Sequence, residues 1–236
     1  MKFEKPLQRW AYARREKRFF IYGQEEGQVA HCANTGSLRG VLENTAALWV
    51  ADHGASTTRK LRYTAELAEL HSGTLVGIHP NRANTLAPEA LRAGVFTGLP
   101  PITELRTEVK YNAETRFDAQ FTHPLTHEPW WVEVKSTTLV EEQGGHRVAC
   151  FPDAVTTRGT KHLATLEESV RQGGHALQIY VVPRADATHF APAAHIDPAY
   201  AAALAKAVAA GVQVVALGCE ITTKEIRVFS TLQIML

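Results

Sequence analysis

The pattern of apolar residues changes character once along the chain, at "GLPP" from Gly98 to Pro101, and this change limits the fold more than any other feature. Ahead of it, from Lys17 to about Pro80, come short strand-like bursts: "RFFIYG", "GQVAHC", "AALWVA", "RKLRYTAEL" and "TLVGIH", punctuated by Gly, Asn, Asp and Ser. Such short, interrupted strands predict a small β-barrel. After Pro101, "LRTEVKY", "RFDAQF" and "WWVEVKS" read as strands, "VTTRGTKHLATLEESVRQGG" as an amphipathic helix ending at Gly173, and "ALQIYVV" as a buried strand. A further helix is predicted with Asp197 as N-cap, Pro198 in its first turn and Gly211 at its C-terminal end, then the strand "VQVVAL". The order is β-β-β-α-β-α-β, an α/β pattern that makes the whole chain α+β. With a helix over Asn81 to Gly94, the expected organisation is a barrel over 1–80, a helical linker over 81–100, and a mixed sheet flanked by helices over 101–236.

Composition removes several classes of function. The 45% apolar content over 236 residues supports a real core. The N-terminus is charged, and the alanine-rich stretch Ala199 to Cys219 contains Lys206, so neither a targeting nor a spanning segment is expected and the address is cytoplasmic. Cys32, Cys150 and Cys219 are far apart with no CxxC spacing, which gives neither a disulfide framework nor a zinc site. Net charge is only +1, yet residues 1 to 22 carry Lys2, Lys5, Arg9, Arg14, Arg15, Lys17 and Arg18 against Glu4 and Glu16. A solvated basic face and a phosphate-tracking surface both fit that excess. In "RKLRYTAEL", Leu61, Tyr63 and Ala65 alternate with Lys60, Arg62 and Thr64, the period of a half-buried strand with one cationic face.

The chemistry concentrates in Arg116 to Ser136. Glu133 and Lys135 are two apart on a strand and share a face, while Val132 and Val134 point to the core. If "RFDAQF" is the antiparallel neighbour, Asp118 lies across from Glu133 on the same face. Two facing carboxylates repel unless a cation sits between them, and oxygen donors without Cys or His suit magnesium or manganese. Phosphodiester hydrolysis is the fitting reaction, with Lys135 orienting the attacking water or neutralising developing charge. An exposed Glu–Lys strand pair beside an unrelated Asp is the plain alternative.

Arg158, Lys161 and His162 lie three and four apart, sharing one face at a helix N-terminal half that favours anions. Gly159 costs that helix about 1 kcal/mol relative to alanine, which close approach of backbone to a ligand would explain. In "HCANTGSL", Asn34, Thr35 and Gly36 could hold a phosphate or simply build an Asx-type turn. His123 and His127 have zinc-like spacing but flank Pro124 in a turn, so a surface loop is expected. Phe19, Tyr22 and Trp49 are either base-stacking aromatics or barrel core. There is no P-loop, G-x-G-x-x-G or G-x-S-x-G.

"PLQR", "KRFF", "HCANTGSL", "TEVKY", "VEVKS" and above all "FPDAVTTRGTKHL", from Phe151 to Leu163, resemble the sugar fermentation stimulation protein A family along nearly the whole chain. That resemblance implies an N-terminal OB-like barrel and a C-terminal domain with the PD-(D/E)xK nuclease fold, in a DNA-binding protein linked to regulation of sugar (maltose) metabolism. Asp118 and Glu133-x-Lys135 fall where the nuclease motif expects catalytic residues, with the Val134 backbone carbonyl a further metal ligand and Glu108 a candidate extra acid. Ala33 departs from the family's proline before Asn-Thr-Gly, and the segment between Tyr111 and Asp118 is one residue shorter.

The expectation is a largely sequence-nonspecific DNA-binding protein with a magnesium or manganese phosphodiesterase site and no membrane partner. Phosphate contacts are expected from Arg14, Lys17, Arg18, Asn34, Thr35, Arg62, Arg158, Lys161 and His162. The alternative is a non-catalytic DNA-binding transcriptional regulator that keeps the nuclease fold as a scaffold. A small-molecule phosphodiesterase fits less well, because two separate cationic surfaces suit a polymer. The oligomeric state, a homodimer included, is left open.

Overall fold

The computed structural model describes residues 1–55, 59–96 and 99–236. Of the break at Gly98 to Pro101, Gly98 lies outside the described residues.

The first half forms β1 (Gln8–Glu16), β2 (Phe20–Gly23), β3 (Val29–His31), β4 (Thr45–Asp52), β5 (Tyr63–Leu70) and β6 (Leu75–Gly77). Their order is β3-β2-β1-β4-β5-β6, and β3 also pairs with β5, so the first five strands close into a barrel with β6 appended. Closure removes the unpaired edges that such short strands would otherwise expose. Trp10, Ile21, Leu48, Val50, Ala65 and Val76 fill the interior.

Two expectations for this half need correction. Strand β1 was read as no more than a basic segment; Trp10 is its one buried side chain, so no run of alternating apolar residues announces it. The cationic face assigned to "RKLRYTAEL" is absent, because the strand begins at Tyr63 and Thr64, Ala65, Glu66, Leu67 and Ala68 are all buried. Both faces of β5 are covered: Ala65 and Ala68 join the barrel core, while Leu67 joins the core of the second half.

The second half comprises α1 (Ala83–Arg92), β7 (Thr103–Lys110), β8 (Arg116–Thr122), β9 (Pro129–Ser136), β10 (Leu139–Gln143), β11 (His146–Phe151), α2 (Thr157–Arg171), β12 (His175–Val182), β13 (His189–Pro192), α3 (Pro198–Ala209), β14 (Gln213–Ile221) and β15 (Ile226–Ile234). They build one nine-stranded mixed sheet, ordered β10-β11-β13-β15-β14-β12-β9-β8-β7. Parallel β12 runs through its centre between β9 and β14, and its apolar run is buried on both sides. Leu177, Ile179 and Val181 face the layer that holds α1, whereas Ala176, Tyr180 and Val182 face the layer of α2 and α3.

Helix α1, expected as part of a linker, is core: Ala83, Leu86, Ala87, Ala90 and Leu91 pack with Val132 and Ile179. Asp197 caps α3 as predicted, accepting from the Tyr200 amide at 2.9 Å, and it also accepts from the Thr156 amide at 2.8 Å, ahead of α2. The halves are joined directly: the Gly77 amide donates to the Pro183 carbonyl at 2.8 Å, and buried Arg184 next to it donates to the Thr138 carbonyl at 2.7 Å. Among the described residues no helix is long and apolar enough to cross a membrane.

Candidate active site

Strands β8 and β9 pair antiparallel from Thr122–Pro129 to Ala119–Val132, and the ladder stops there. Continued by two residues, that register would set the Val134 amide against the Phe117 backbone. The Asp118 carboxylate takes its place instead, accepting from the Val134 amide at 2.7 Å, while its other oxygen accepts from Asn84 Nδ2 of α1 at 2.8 Å. The strand ends therefore separate where a carboxylate is inserted between them, opening the sheet toward the barrel.

Glu133 is only 2% exposed. Lys135 Nζ and His162 Nδ1, the latter from α2, both bond to its Oε1. A carboxylate only accepts, so His162 Nδ1 carries the hydrogen of that contact. Glu133 Oε2 is buried and has no partner. Burial, and next the negative charge of Glu133, push Asp118 up to about 6. Burial also works against the Glu133 carboxylate, but the His162 bond and the Lys135 charge outweigh it and hold Glu133 below its ordinary range. One acid is kept ionised and its neighbour resists ionisation, the pattern of a carboxylate pair with a gap in its charge balance.

These groups line a cleft of about 720 Å³ between barrel and mixed sheet. Asp118, Glu133, Val134, Lys135 and Glu108 all reach it, as do Arg18, Asn34, Thr35, Arg158 and His162. Glu108 has a left-handed backbone, φ 55°, inside strand β7, a conformation that costs an L-residue about 1–2 kcal/mol and gathers at functional sites. Four of the residues expected to meet phosphate are not among the cleft's lining. Arg14 bonds Glu16 and lies over the Tyr22 ring; Arg62 makes a bidentate pair with Asp52; Lys17 and Lys161 are exposed elsewhere. His162 lines the cleft but turns its Nδ1 to Glu133, and Arg158 stands in the cleft beside it, its Nε donating to His162 Nε2 at 3.4 Å.

Gly159 has a packing explanation rather than a ligand: a Cβ there would stand 2.9 Å from Thr156 Cγ2 and 3.0 Å from Tyr200 Cε2. His123 sits in a turn as expected, accepting from the Leu125 and Thr126 amides. Trp49 gives its Nε1 hydrogen to Glu69 at 2.8 Å, whereas Phe19 is 46% exposed.

The reading from sequence missed four contributors. Asn84 orients Asp118, and Arg116 lines the cleft. Arg15 binds the carbonyls of Asn34, Gly36 and Ser37 and so fixes the loop. Asp153 accepts from Ser37 Oγ at 3.0 Å and the Leu38 amide at 2.9 Å, joining the halves at the cleft. Asn34 does build an Asx turn, its Oδ1 accepting from the Gly36 amide at 2.7 Å.

Residues 81–225 match the sugar fermentation stimulation protein RE domain, and residues 13–78 match the SfsA N-terminal OB domain. The chain belongs to the sugar fermentation stimulation protein family. Homologues of that name from Nitrosococcus oceani and Maricaulis maris are 42% and 43% identical over 242 and 225 residues, covering 100% of both chains and 94% and 93% of this chain and its relative. A solved structure, described as Pyrococcus furiosus SfsA in complex with Ca2+, superposes with a TM-score of 0.84 at 24% identity, covering 100% of this chain and 98% of that one. The five-stranded barrel is accordingly the family's OB domain, and the mixed sheet with its helices is the RE domain.

Proposed function

We propose that the cleft is a divalent-metal phosphodiesterase site acting on DNA, with largely sequence-nonspecific binding. The observation that carries this reading is the unpartnered, buried Glu133 Oε2 beside an Asp118 that resists ionisation. An uncompensated buried acceptor costs free energy, and a cation held by both acids would satisfy it and lower Asp118 together.

The donor set fits magnesium or manganese. Among the described residues no group of three or more His, Cys, Asp and Glu side chains could hold a metal alone, and magnesium is ordinarily held by one or two carboxylates completed by water and phosphate. Asp118 and Glu133 would hold it, with the Val134 carbonyl and Glu108 as the further oxygen donors within the same cleft. A bound ion of this kind supplies charge neutralisation at a phosphoryl oxygen and a water of lowered pKa. The calcium in the Pyrococcus furiosus relative's description is a cation of the same oxygen preference.

This chain's own residues do the rest. Asn84 and the Val134 amide fix the Asp118 carboxylate, and His162 fixes Glu133. Lys135, anchored to Glu133, stands where it can orient a water or meet negative charge as the phosphorus centre gains a bond. Arg18 and Arg158, on opposite walls, bind the phosphates of a strand passing between them.

A second reading, a DNA-binding regulator of sugar metabolism without catalysis, draws on one specific arrangement: Lys135 and His162 both bond to Glu133 Oε1, so the chain's own lysine already faces that carboxylate. Calorimetric titration of magnesium and manganese, paired with cleavage of labelled single-stranded, duplex and branched DNA, separates the two. The catalytic reading expects metal binding lost in Asp118→Asn and Glu133→Gln, and cleavage lost but metal binding kept in Lys135→Ala. A wild-type protein that binds metal at these acids and cuts none of the three substrates retires it.

A further inference from the structure

A second cavity shares a wall with the cleft. Along residues 79–85, Pro80, Asn81 and Asn84 line the cleft, whereas His79, Arg82 and Thr85, each three apart as successive helical turns place them, line a separate pocket of about 500 Å³. The first residues of the chain, the end of β4 and the start of β5 complete its lining. Its volume falls within the range of small-molecule sites, about 300–1,000 Å³.

The charges of this lining are unequal once the internal pairs are set aside. Asp52 gives both oxygens to Arg62, and its Oδ1 also accepts from the Gly54 amide at 2.8 Å. Glu66, 1% exposed, gives both oxygens to Arg82. Arg82 spends Nε and Nη2 on that pair, and among the described residues nothing accepts from its Nη1. Lys2, Lys5 and Arg59 stand on the same lining against one further acid, Glu4, and Lys5 makes only a 3.4 Å bond to the Asp52 carbonyl. Donors are left over where the buried acceptors are already taken.

His79 adds an independent observation. Its Nδ1 is buried without a partner, although buried polar atoms are nearly always hydrogen-bonded. Burial pushes the ring below its ordinary range and keeps it neutral at pH 7, where the tautomer protonated at Nδ1 offers a donor. An anion is the partner that such a nitrogen and a guanidinium edge both lack. Cations on several sides suit the three oxygens of a phosphate better than the two of a carboxylate.

We propose that this pocket binds a small phosphate monoester, apart from the catalytic cleft, with Arg82, Arg59 and Lys5 meeting the phosphate and His79 donating from Nδ1. None of these residues belongs to the metal site, so the pocket's occupancy does not depend on whether the cleft cuts DNA.

The test is isothermal titration calorimetry of the full chain in EDTA, which keeps metal-held phosphate out of the cleft, with ribose 5-phosphate, ribose and inorganic phosphate as probes. Ribose 5-phosphate is expected to bind, inorganic phosphate more weakly, and ribose not at all. The double variant Lys5→Ala, Arg59→Ala and the single variant His79→Ala are each expected to weaken ribose 5-phosphate by roughly tenfold or more, the loss of hydrogen bonds to a charged group. Arg158→Ala, in the cleft, is expected to bind it like wild type. Lys5 and Arg59 are exposed, so their variant tests the pocket even where His79→Ala fails to fold; circular dichroism and melting temperature establish which variants are folded. No binding of either phosphate, equal binding of ribose, or binding that survives the Lys5, Arg59 variant and is lost in Arg158→Ala overturns the proposal. A short DNA duplex and its single strand carry the same phosphate chemistry from another source. If either displaces ribose 5-phosphate and itself weakens in the Lys5, Arg59 variant, the pocket belongs to the DNA surface and the small-molecule assignment falls.

Discussion

Replacing Asp118 by asparagine is expected to stabilise the metal-free protein at pH 8 and to destabilise it by about 1 kcal/mol at pH 4. Burial and the Glu133 charge raise the folded carboxyl to about 6, against an ordinary 3.8. The sign follows: both folded and unfolded chains hold the proton below about pH 4, the folded chain holds it longer as pH rises, and above about 6 the fold bears the full penalty of an ion it disfavours. The separation corresponds to about 3 kcal/mol. Asparagine keeps one acceptor oxygen where Asp118 serves both the Val134 amide and Asn84, so about 1 kcal/mol is given back. A net gain near 2 kcal/mol raises the melting temperature of a chain this size by about 4–8 °C at pH 8. Differential scanning calorimetry in EDTA across pH 4 to 8 measures it. Magnesium added at pH 8 should raise the wild-type melting temperature and leave the variant unmoved. A variant less stable than wild type at pH 8, or a difference independent of pH, refutes the placement of a strained, cation-seeking acid at this site.

Arg82→Ala should cost about 3 kcal/mol in urea unfolding, because Glu66 is 1% exposed and is held by Arg82 Nε and Nη2, at 2.9 and 2.5 Å; removal of the arginine strands a buried carboxylate. Gly159→Ala should cost about 1–3 kcal/mol, since its Cβ would meet Tyr200 Cε2 at 3.0 Å, and a neutral outcome would mean that α2 can shift away from α3. For DNA, the logarithm of affinity should fall linearly with the logarithm of salt, and Arg18→Ala and Arg158→Ala should each reduce that slope by about 0.7–1; a flat salt response removes the phosphate contacts from the account.

What could be seen in the sequence was what local rules control. The Glu133–Lys135 pair needs only a period of two, and the Asp197 cap needs only its neighbours, so both were visible. Asp118 was placed because a short antiparallel connection limits the register. The hairpin of β10 and β11 carried a local signal as well, Gly144-Gly145 with φ of 57° and 79° between paired Gln143 and His146, but its strands "LVEEQ" and "HRVACF" mix charge and small residues without clean alternation. Strands β13 and β15 were lost for a different cause: β13 has four residues, and exposed Arg227, Phe229 and Gln233 mask the apolar face of β15. His162 misled because helical spacing groups it with Arg158 and Lys161, while only the approach of α2 to β9 shows that it meets a carboxylate.

The two longest motifs of the chain, "HCANTGSL" and "FPDAVTTRGTKHL", each looked like a ligand loop, yet each is in large part the other's binding surface. Asp153 takes the Ser37 hydroxyl and the Leu38 amide, and a Cβ on Gly36 would stand 2.9 Å from both Asp153 carboxylate oxygens. The Asn34 Oδ1 of the local Asx turn would stand equally close, at 2.9 Å, so the glycine is required both by its own turn and by a residue more than a hundred positions away. Arg15 holds the same loop from the barrel side through three carbonyls, so the loop is fixed between the OB domain and the RE domain. That junction is what sets Arg18 of one domain and Arg158 of the other across a single cleft above Glu133. Its acids and the cations Arg116, Lys135 and Arg158 belong to the mixed sheet and its helices, while the barrel adds Arg18, Asn34 and Thr35, so neither domain alone carries the whole lining, and the docking of the two loops is as much a part of the site as the carboxylates themselves.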